Sequence, residues 1–263
     1  MHQHREHAIR PAILLAVVAL ACLAAALAPP LAQWASYHDF ADQRRILGIP
    51  NFLDVVSNSA FLIAGVLGLY GRYRFNGLTG DRPLFSAYGV LFASIALIGI
   101  GSGYYHLAPS NGTLVWDRLP MAVAFMAFLV LVIGEFISTR AGALLLLPLV
   151  ALGLTSVGYW HVTELQGQGD LRPYALVQFL PLLLVPLIMR LYRVRLADNR
   201  WLLGVLCCVL LAKAAELLDR PVYEITGMIS GHTLKHLAAA LGAYCIYLWL
   251  RQRHPGEARP EIR

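Results

Sequence analysis

Long apolar runs constrain this chain more than any other feature of its sequence. A helix that crosses a bilayer needs about 20 mostly apolar residues, and eight stretches of the chain meet that requirement. They lie at 11–32, 52–71, 84–106, 119–138, 142–160, 173–191, 201–218 and 232–250. None has the alternating pattern of a β-strand, and a helix satisfies its own backbone hydrogen bonds in lipid. The sequence therefore predicts an all-α fold, a polytopic transmembrane helical bundle.

The composition agrees with a membrane protein and argues against a soluble domain. Hydrophobic residues make up 58% of the 263 residues and charged residues 14%, whereas soluble domains have about 45–50% and about 25%. The net charge of +6 is spread over short loops between the apolar runs. Because no basic face or tail is formed, we expect no nucleic-acid partner.

The basic residues predict the orientation, because cytoplasmic loops of membrane proteins carry an excess of Lys and Arg. With a cytoplasmic N-terminus, 14 arginines lie inside and five outside. We therefore expect a multi-pass protein with both termini, including the tail 251–263, in the cytoplasm. Arginine outnumbers lysine 19 to 2, a bias typical of GC-rich bacterial genomes, so the membrane is expected to be a bacterial inner membrane.

The first apolar run has two interpretations. Arg5 and Arg10 precede it, and it ends in Ala-Leu-Ala-Pro-Pro, which resembles the cleavage region of a signal peptide. The run is long for a signal peptide, which favours a retained transmembrane helix. Cleavage would leave seven spans and would not change the orientation of the others.

Three histidines at the ends of apolar runs form a candidate metal site. His232 and His236 are four residues apart, so both rings lie on one face of a helix. His106 ends the third run, and in the predicted orientation it lies at the same outer face as the start of the last run. Three neutral imidazoles with an open fourth position are a catalytic zinc arrangement. Haem is the alternative that paired membrane histidines leave open.

Two further polar residues lie at the same depth as these histidines. Asp117 lies at the outer end of the fourth run, and Ser102 is four residues before His106. A carboxylate beside the metal can act as a general base, and a hydroxyl can hydrogen-bond a developing oxyanion. The structural alternatives are that Asp117 is a helix N-cap and that Ser102, between two glycines, is a packing residue.

Four motifs resemble the alkaline ceramidases, within the superfamily that includes the adiponectin and progestin receptors. They are Pro-Asn-Phe-Leu-Asp-Val-Val-Ser-Asn at 50–58, Gly-Ser-Gly-Tyr-Tyr-His at 101–106, Trp-Asp-Arg-Leu-Pro-Met at 116–121 and Gly-His-Thr-Leu-Lys-His at 231–236. The resemblance implies a seven-helix ceramidase-like domain at 39–250, preceded by an added N-terminal helix within 1–38. It also implies roles for five residues. Zinc would be bound by His106, His232 and His236, the water's proton handled by Asp117 and the oxyanion stabilised by Ser102.

The resemblance further implies a calcium site just before the first core helix. Asp39, Asp42, Asn51 and the backbone carbonyl of Phe40 are the oxygen ligands that such a site would use. Arg44 stands where a further oxygen donor is expected. The alternative to calcium is therefore that Arg44 replaces the ion and bridges Asp39 and Asp42.

The predicted activity is zinc-dependent hydrolysis of the N-acyl bond of ceramide or a related lipid. The products would be a fatty acid and a sphingoid base, formed at a site that faces the periplasm. The same residues also fit a receptor or sensor that keeps the metal structurally, and a haem-binding membrane protein. In the seventh run, Lys213, Glu216 and Asp219 form a polar stripe, interpreted either as a network beside the metal or as a self-neutralising pair.

Overall fold

The computed structural model describes residues 2–76, 84–195 and 199–253. Within these ranges the regular structure is helical and contains no β-strand, which confirms the predicted all-α fold. A short 3-10 helix, Ala35–His38, precedes the core. The α-helices are α1 His2–Leu27, α2 Phe52–Ser57, α3 Ser59–Asn76, α4 Phe85–Leu107, α5 Asn111–Phe136, α6 Thr139–Leu165, α7 Arg172–Leu191, α8 Arg200–Leu217, α9 Asp219–Thr226 and α10 Gly231–Arg253.

The helices have the lengths and the surfaces of a multi-pass membrane protein. Among the described residues, six helices are long and apolar enough to cross a bilayer, and the pair α8–α9, bent by 76°, is a seventh candidate. Helix α10 has 23 residues and is therefore about 35 Å long, although polar side chains in its first two turns lower its hydropathy. Leu147 and Leu211 are 78% and 61% exposed, as expected for side chains that contact lipid.

The first helix ends earlier than the sequence predicts. The apolar run extends to residue 32, but α1 ends at Leu27. Pro29 and Pro30 follow, and neither can donate a backbone hydrogen bond to a continuing helix. The residue before a proline is also disfavoured in helical conformation, so Ala28 leaves the helix.

The second predicted run is divided between α2 and α3. The side-chain amide of Asn58 donates to the carbonyl of Asp54 at 2.6 Å, the acceptor that an uninterrupted helix would offer to the backbone of residue 58. The backbone N–H of Asn58 instead bonds the carbonyl of Val55 at 3.3 Å. A side chain that competes with the backbone in this way loosens a helix locally.

Helices α4, α5 and α10 each pack against several other helices and so hold the bundle together. Helix α4 packs against α3 and α5, α5 packs also against α6 and α7, and α10 packs against α3 and α8. Over their described residues, α7 and α8 make few contacts with each other, which leaves room between them. Helix α1 lies outside this arrangement and packs against α7.

Two glycines allow the helices that carry the polar residues to approach closely. A Cβ atom at Gly101 would collide with the carbonyl of Trp116, where α4 meets α5. A Cβ atom at Gly231 would collide with the carbonyl of Ala215, where α10 meets α8. These two contacts bring the ends of α4, α5, α8 and α10 together at one side of the bundle.

The segment that follows α1 is attached to the start of α7. The carbonyl of Leu31 accepts the backbone N–H of Leu171 at 2.7 Å, and the Arg172 guanidinium donates to the carbonyl of Ala28. Arg172 also binds Asp170 at 2.8 Å, and these hydrogen bonds lower the pKa of the Asp170 carboxyl to about 2. Residues 28–38 are thereby held over the same end of the bundle as the polar residues.

Candidate metal centre and active site

The structure brings together the three histidines of α4 and α10. The nitrogen atoms that His106, His232 and His236 can offer to a metal lie within 4.8 Å of one another. All three side chains are buried, and their ring centroids are 4.8 to 4.9 Å apart. The juxtaposition follows from helical spacing, which stacks His232 and His236, and from the close approach of α4.

Two of these histidines have a nitrogen atom that lacks a partner. Nδ1 of His106 and Nε2 of His232 are buried and make no hydrogen bond within the part of the chain that the structure describes. Buried polar atoms in folded proteins are nearly always hydrogen-bonded, so the two nitrogens fit the role of metal ligands. Three neutral imidazoles in a buried cluster fit a divalent transition metal such as zinc.

A serine of α2 orients His236 within this cluster. Nδ1 of His236 is 2.8 Å from the Ser57 hydroxyl oxygen, and the Ser57 hydroxyl donates to the carbonyl of Asp54 at 3.2 Å. The serine oxygen therefore accepts the Nδ1 proton of His236, which leaves Nε2 unprotonated and able to bind a metal. Sequence reasoning assigned no role to Ser57, although a hydroxyl within an apolar run was a usable signal.

The start of α10 is fixed by the carboxylate of Asp54. Its Oδ1 atom accepts the Thr233 hydroxyl at 2.6 Å and the Ser230 hydroxyl at 3.2 Å. The side-chain amide of Asn51 donates to the carbonyl of His106 at 2.8 Å. Helix α2 thus contacts both helices that carry the histidines. The motif at 50–58 was recognised by resemblance, but these contacts were not foreseen.

Asp219 and Phe40 cover the cluster from the side of the loops. The backbone N–H of His232 donates to Oδ1 of Asp219 at 2.7 Å, and the backbone N–H of Ala41 donates to Oδ2 at 2.9 Å. The ring of Phe40 has its centroid 4.6 Å from the ring centroids of both His106 and His232. The loop before α2 therefore packs directly on two of the histidines.

Ser102 and Asp117 line a cavity that begins at the histidine cluster. This first cavity, of about 150 Å³, lies among α3, α4, α5, α7, α8 and α10. Its polar lining consists of Ser102, Asp117, Lys235 and His236, and the other lining side chains are apolar apart from one glycine. The structure thus places the two predicted catalytic side chains in one chamber with a histidine of the cluster.

A second cavity, of about 220 Å³, adjoins the first between α5, α7 and α8. Asp117 and Lys235 are the two charged residues that line both cavities. Nζ of Lys235 lies 2.7 Å from Glu216, and Nζ of Lys213 lies 2.5 Å from the same carboxylate. In the polar stripe of α8 and α9, Lys213 and Glu216 form the expected self-neutralising pair. Asp219 instead contacts the backbone of His232, beside the histidine cluster.

Sequence comparison agrees with this arrangement. The protein-family model described as Ceramidase matches residues 47–261. The chain belongs to the ceramidase family. The matched range contains the histidines, Asp117 and Ser102, whereas α1 and the segment after it precede the match. No curated protein and no solved structure gives a match. Membership of the family supports a hydrolase with a lipid substrate.

In this ceramidase-family protein, the Arg44 guanidinium binds the carboxylate of Asp42, one of the candidate calcium ligands. Nε and Nη2 of Arg44 each donate to Asp42 at 2.8 Å, and Nη2 also donates to the carbonyl of Met228. Burial raises the pKa of the Asp42 carboxyl, but the hydrogen bonds and charge of Arg44 lower it more, so the pKa lies below its ordinary value. The pair therefore stabilises the fold above pH 3.8 and ceases to do so as the pH falls through the lowered pKa.

The other candidate calcium ligands also have protein partners. Asp39 binds Arg220 at 3.2 Å rather than Arg44, so the predicted bridge by Arg44 between Asp39 and Asp42 is wrong in its second partner. The carbonyl of Phe40 accepts Gln43 at 3.2 Å, and the Asn51 amide points to the carbonyl of His106. The carboxylates of Asp39 and Asp42 are thus both paired with arginines, and the positive charge at Asp42 is supplied by Arg44.

We expect calcium to leave the thermal stability of this protein unchanged, because the carboxylate oxygens of Asp42 are already neutralised. Melting temperatures of the detergent-purified protein with and without millimolar calcium test this. Arg44→Gln is expected to melt lower, since it frees a buried carboxylate. Arg45→Gln is the matched control, because Arg45 bonds only a local loop carbonyl among the described residues. A calcium-dependent rise in the wild-type melting temperature would contradict the expectation.

Proposed function

We propose that this protein is a zinc-dependent amidohydrolase that cleaves the N-acyl bond of ceramide or a related N-acyl lipid. The products are a fatty acid and a sphingoid base or an equivalent amine. One observation carries the proposal: an apolar cavity ends at a carboxylate, a hydroxyl and a histidine of the cluster. An acyl chain fits the apolar part of such a cavity and brings its amide group to the polar end.

The side chains around the cavity suit the proton transfers of amide hydrolysis. A zinc ion at the three histidines would lower the pKa of a water molecule and polarise the amide carbonyl. Asp117 accepts the proton that the attacking water loses as the C–O bond forms. The same carboxyl group returns that proton to the nitrogen as the C–N bond breaks. The Ser102 hydroxyl donates a hydrogen bond to the oxyanion that develops on the carbonyl oxygen.

The division into two cavities supports cleavage in the middle of a long substrate. Asp117 lines both cavities, so it stands where an acyl chain in the first cavity would meet an amine half in the second. Sparse contact between α7 and α8 leaves space for a lipid to reach the second cavity from the bilayer. A receptor that uses the metal only structurally would not need two chambers that meet at a carboxylate.

The proposed location is a bacterial inner membrane, with both termini cytoplasmic and the site facing the periplasm. The support is the distribution of arginines, with 14 on the cytoplasmic side and five on the other. A reporter enzyme fused to the C-terminus tests the orientation, because activity only on the periplasmic side would reverse it.

The experiment that tests the function combines metal analysis with turnover of a defined lipid. We expect detergent-purified protein to contain about one zinc per chain and to release fatty acid from ceramide with a fluorescent acyl chain. Treatment with a zinc chelator should stop the release, and added zinc should restore it. Folded protein that lacks zinc and leaves a panel of N-acyl lipids intact would exclude the proposed function.

A further inference from the structure

Arg118 is a buried cation without an ion-pair partner among the described residues. Its side chain is 5% exposed and lies against three aromatic rings. The guanidinium carbon is 4.2 Å from the ring centroid of Trp160, 4.9 Å from that of Tyr174 and 5.6 Å from that of Tyr37. Nη2 donates to the side-chain oxygen of Gln33, and Nη1 has no hydrogen-bond partner in residues 2–76, 84–195 and 199–253.

This environment balances the charge of Arg118 only in part. Aromatic faces attract a guanidinium, and the Gln33 amide oxygen is a neutral acceptor. A buried cation is nevertheless costly when no anion accompanies it. The arrangement is therefore that of a binding group prepared for a negatively charged partner.

Arg118 lines the second cavity, whose charges have a positive excess. The charged lining residues are Arg118, Lys213 and Lys235 against Asp117 and Glu216. Both lysines are engaged by the one carboxylate of Glu216, and Asp117 is the residue that the proposed hydrolysis uses for proton transfer. Arg118 is thus the charged group of this cavity that is left for a ligand.

We propose that the second cavity holds the amine half of the substrate and that Arg118 selects N-acyl lipids whose amine half carries a carboxylate. The position of the scissile amide at Asp117 rests on the proposed function. Arg118 is the next residue along α5 and lines the same cavity, so it suits a group a few atoms beyond the amide nitrogen. The fork of a guanidinium matches a carboxylate with two parallel hydrogen bonds.

The cage around Arg118 is completed by a segment that precedes the family match. Gln33 and Tyr37 lie between α1 and α2, and the match begins at residue 47. Leu31 and Tyr37 from this segment also line the second cavity. The attachment of Leu31 to α7 holds the segment in place. The selectivity therefore depends on the N-terminal segment of this chain as well as on the family core.

Binding of two matched lipids tests the proposal independently of turnover. N-lauroylglycine and N-lauroylethanolamine have the same acyl chain and differ in a carboxylate against a hydroxyl. Dissociation constants are measured by calorimetry on full-length Asp117→Asn protein, so that hydrolysis does not consume the ligand. We expect N-lauroylglycine to bind about tenfold tighter or more, the range of a charge-assisted hydrogen bond.

Arg118→Gln in the same background is expected to abolish this preference while N-lauroylethanolamine still binds. Arg220→Gln is the matched control, because the Arg220 side chain is 60% exposed and lines neither cavity; it should keep the preference. Equal binding of the two lipids before substitution overturns the proposal, whether or not Arg118→Gln folds. The proposal is also overturned if the preference for N-lauroylglycine survives Arg118→Gln. It is overturned as well if folded Arg118→Gln protein binds neither lipid.

Two further outcomes distinguish the role of Arg118 in substrate selection from binding of the fatty-acid product and from the proposed hydrolysis. Free laurate that binds more tightly than N-lauroylglycine, and does so through Arg118, would assign the residue to the fatty-acid product and overturn the substrate proposal. Wild-type protein that hydrolyses neither these two lipids nor ceramide, while the binding preference holds, would refute hydrolysis and leave the Arg118 assignment intact. Hydrolysis of both lipids, with equal binding of the two, would support hydrolysis and refute the Arg118 assignment.

Discussion

The His236→Ala variant is expected to lose its metal and its activity together. Purified variant should hold less than about a tenth of a zinc ion per chain, against about one in the wild type. The reason is that two imidazoles remain, and a two-ligand site binds zinc far more weakly than a three-ligand one. Mass spectrometry of the metal content and release of fatty acid from a labelled ceramide are measured on the same preparation.

Two other substitutions make this result specific to the histidine cluster. His161→Ala is the matched control, because His161 lies on α6 and does not belong to the cluster, so zinc and activity should remain. Ser57→Ala keeps all three histidines but removes the hydrogen bond that orients His236, and metal affinity should fall about 10- to 100-fold. A folded His236→Ala protein with its full zinc content would mean that the cluster is not the metal site.

The sequence predicted the positions of the membrane helices and the meeting of the three histidines for one common reason. Both depend on local regularities, namely apolar runs of spanning length and an i, i+4 spacing on one helix face. His106 was expected near the other two because the predicted orientation puts the end of its span at the same membrane face as the start of the last span. Patterns of this kind are written within single segments and do not require knowledge of which helices pack together.

The supporting contacts could not be predicted because they join residues far apart in the sequence. Asp54 and Thr233 are 179 residues apart, and no periodicity within α2 or α10 links them. Gln33 and Arg118 are 85 residues apart, and their contact depends on the path of the segment after α1. The loop residue Arg44 shows the same limit, since its nearest partner was foreseen and its distant one, at Met228, was not.

The Asp117→Asn variant is expected to keep its zinc and lose turnover by about 10²- to 10⁴-fold, the range for removal of a general acid–base group. An amide has nearly the size of the carboxylate but cannot accept the proton of the attacking water. The KM for ceramide should change little, because the apolar lining of the first cavity is intact. Steady-state kinetics and metal content on one preparation check both parts of this expectation.

Ser102→Ala is the informative comparison for Asp117→Asn. It removes a hydrogen-bond donor to the oxyanion from the same cavity but keeps the Asp117 carboxyl, and should lower kcat by up to about 10³-fold. A zinc-loaded Asp117→Asn protein with normal turnover would refute the assigned role. The alternative proton carrier is the other charged residue that lines both cavities, Lys235, whose Nζ lies 2.7 Å from Glu216. Retained turnover in Asp117→Asn that disappears on adding Glu216→Gln would identify that route.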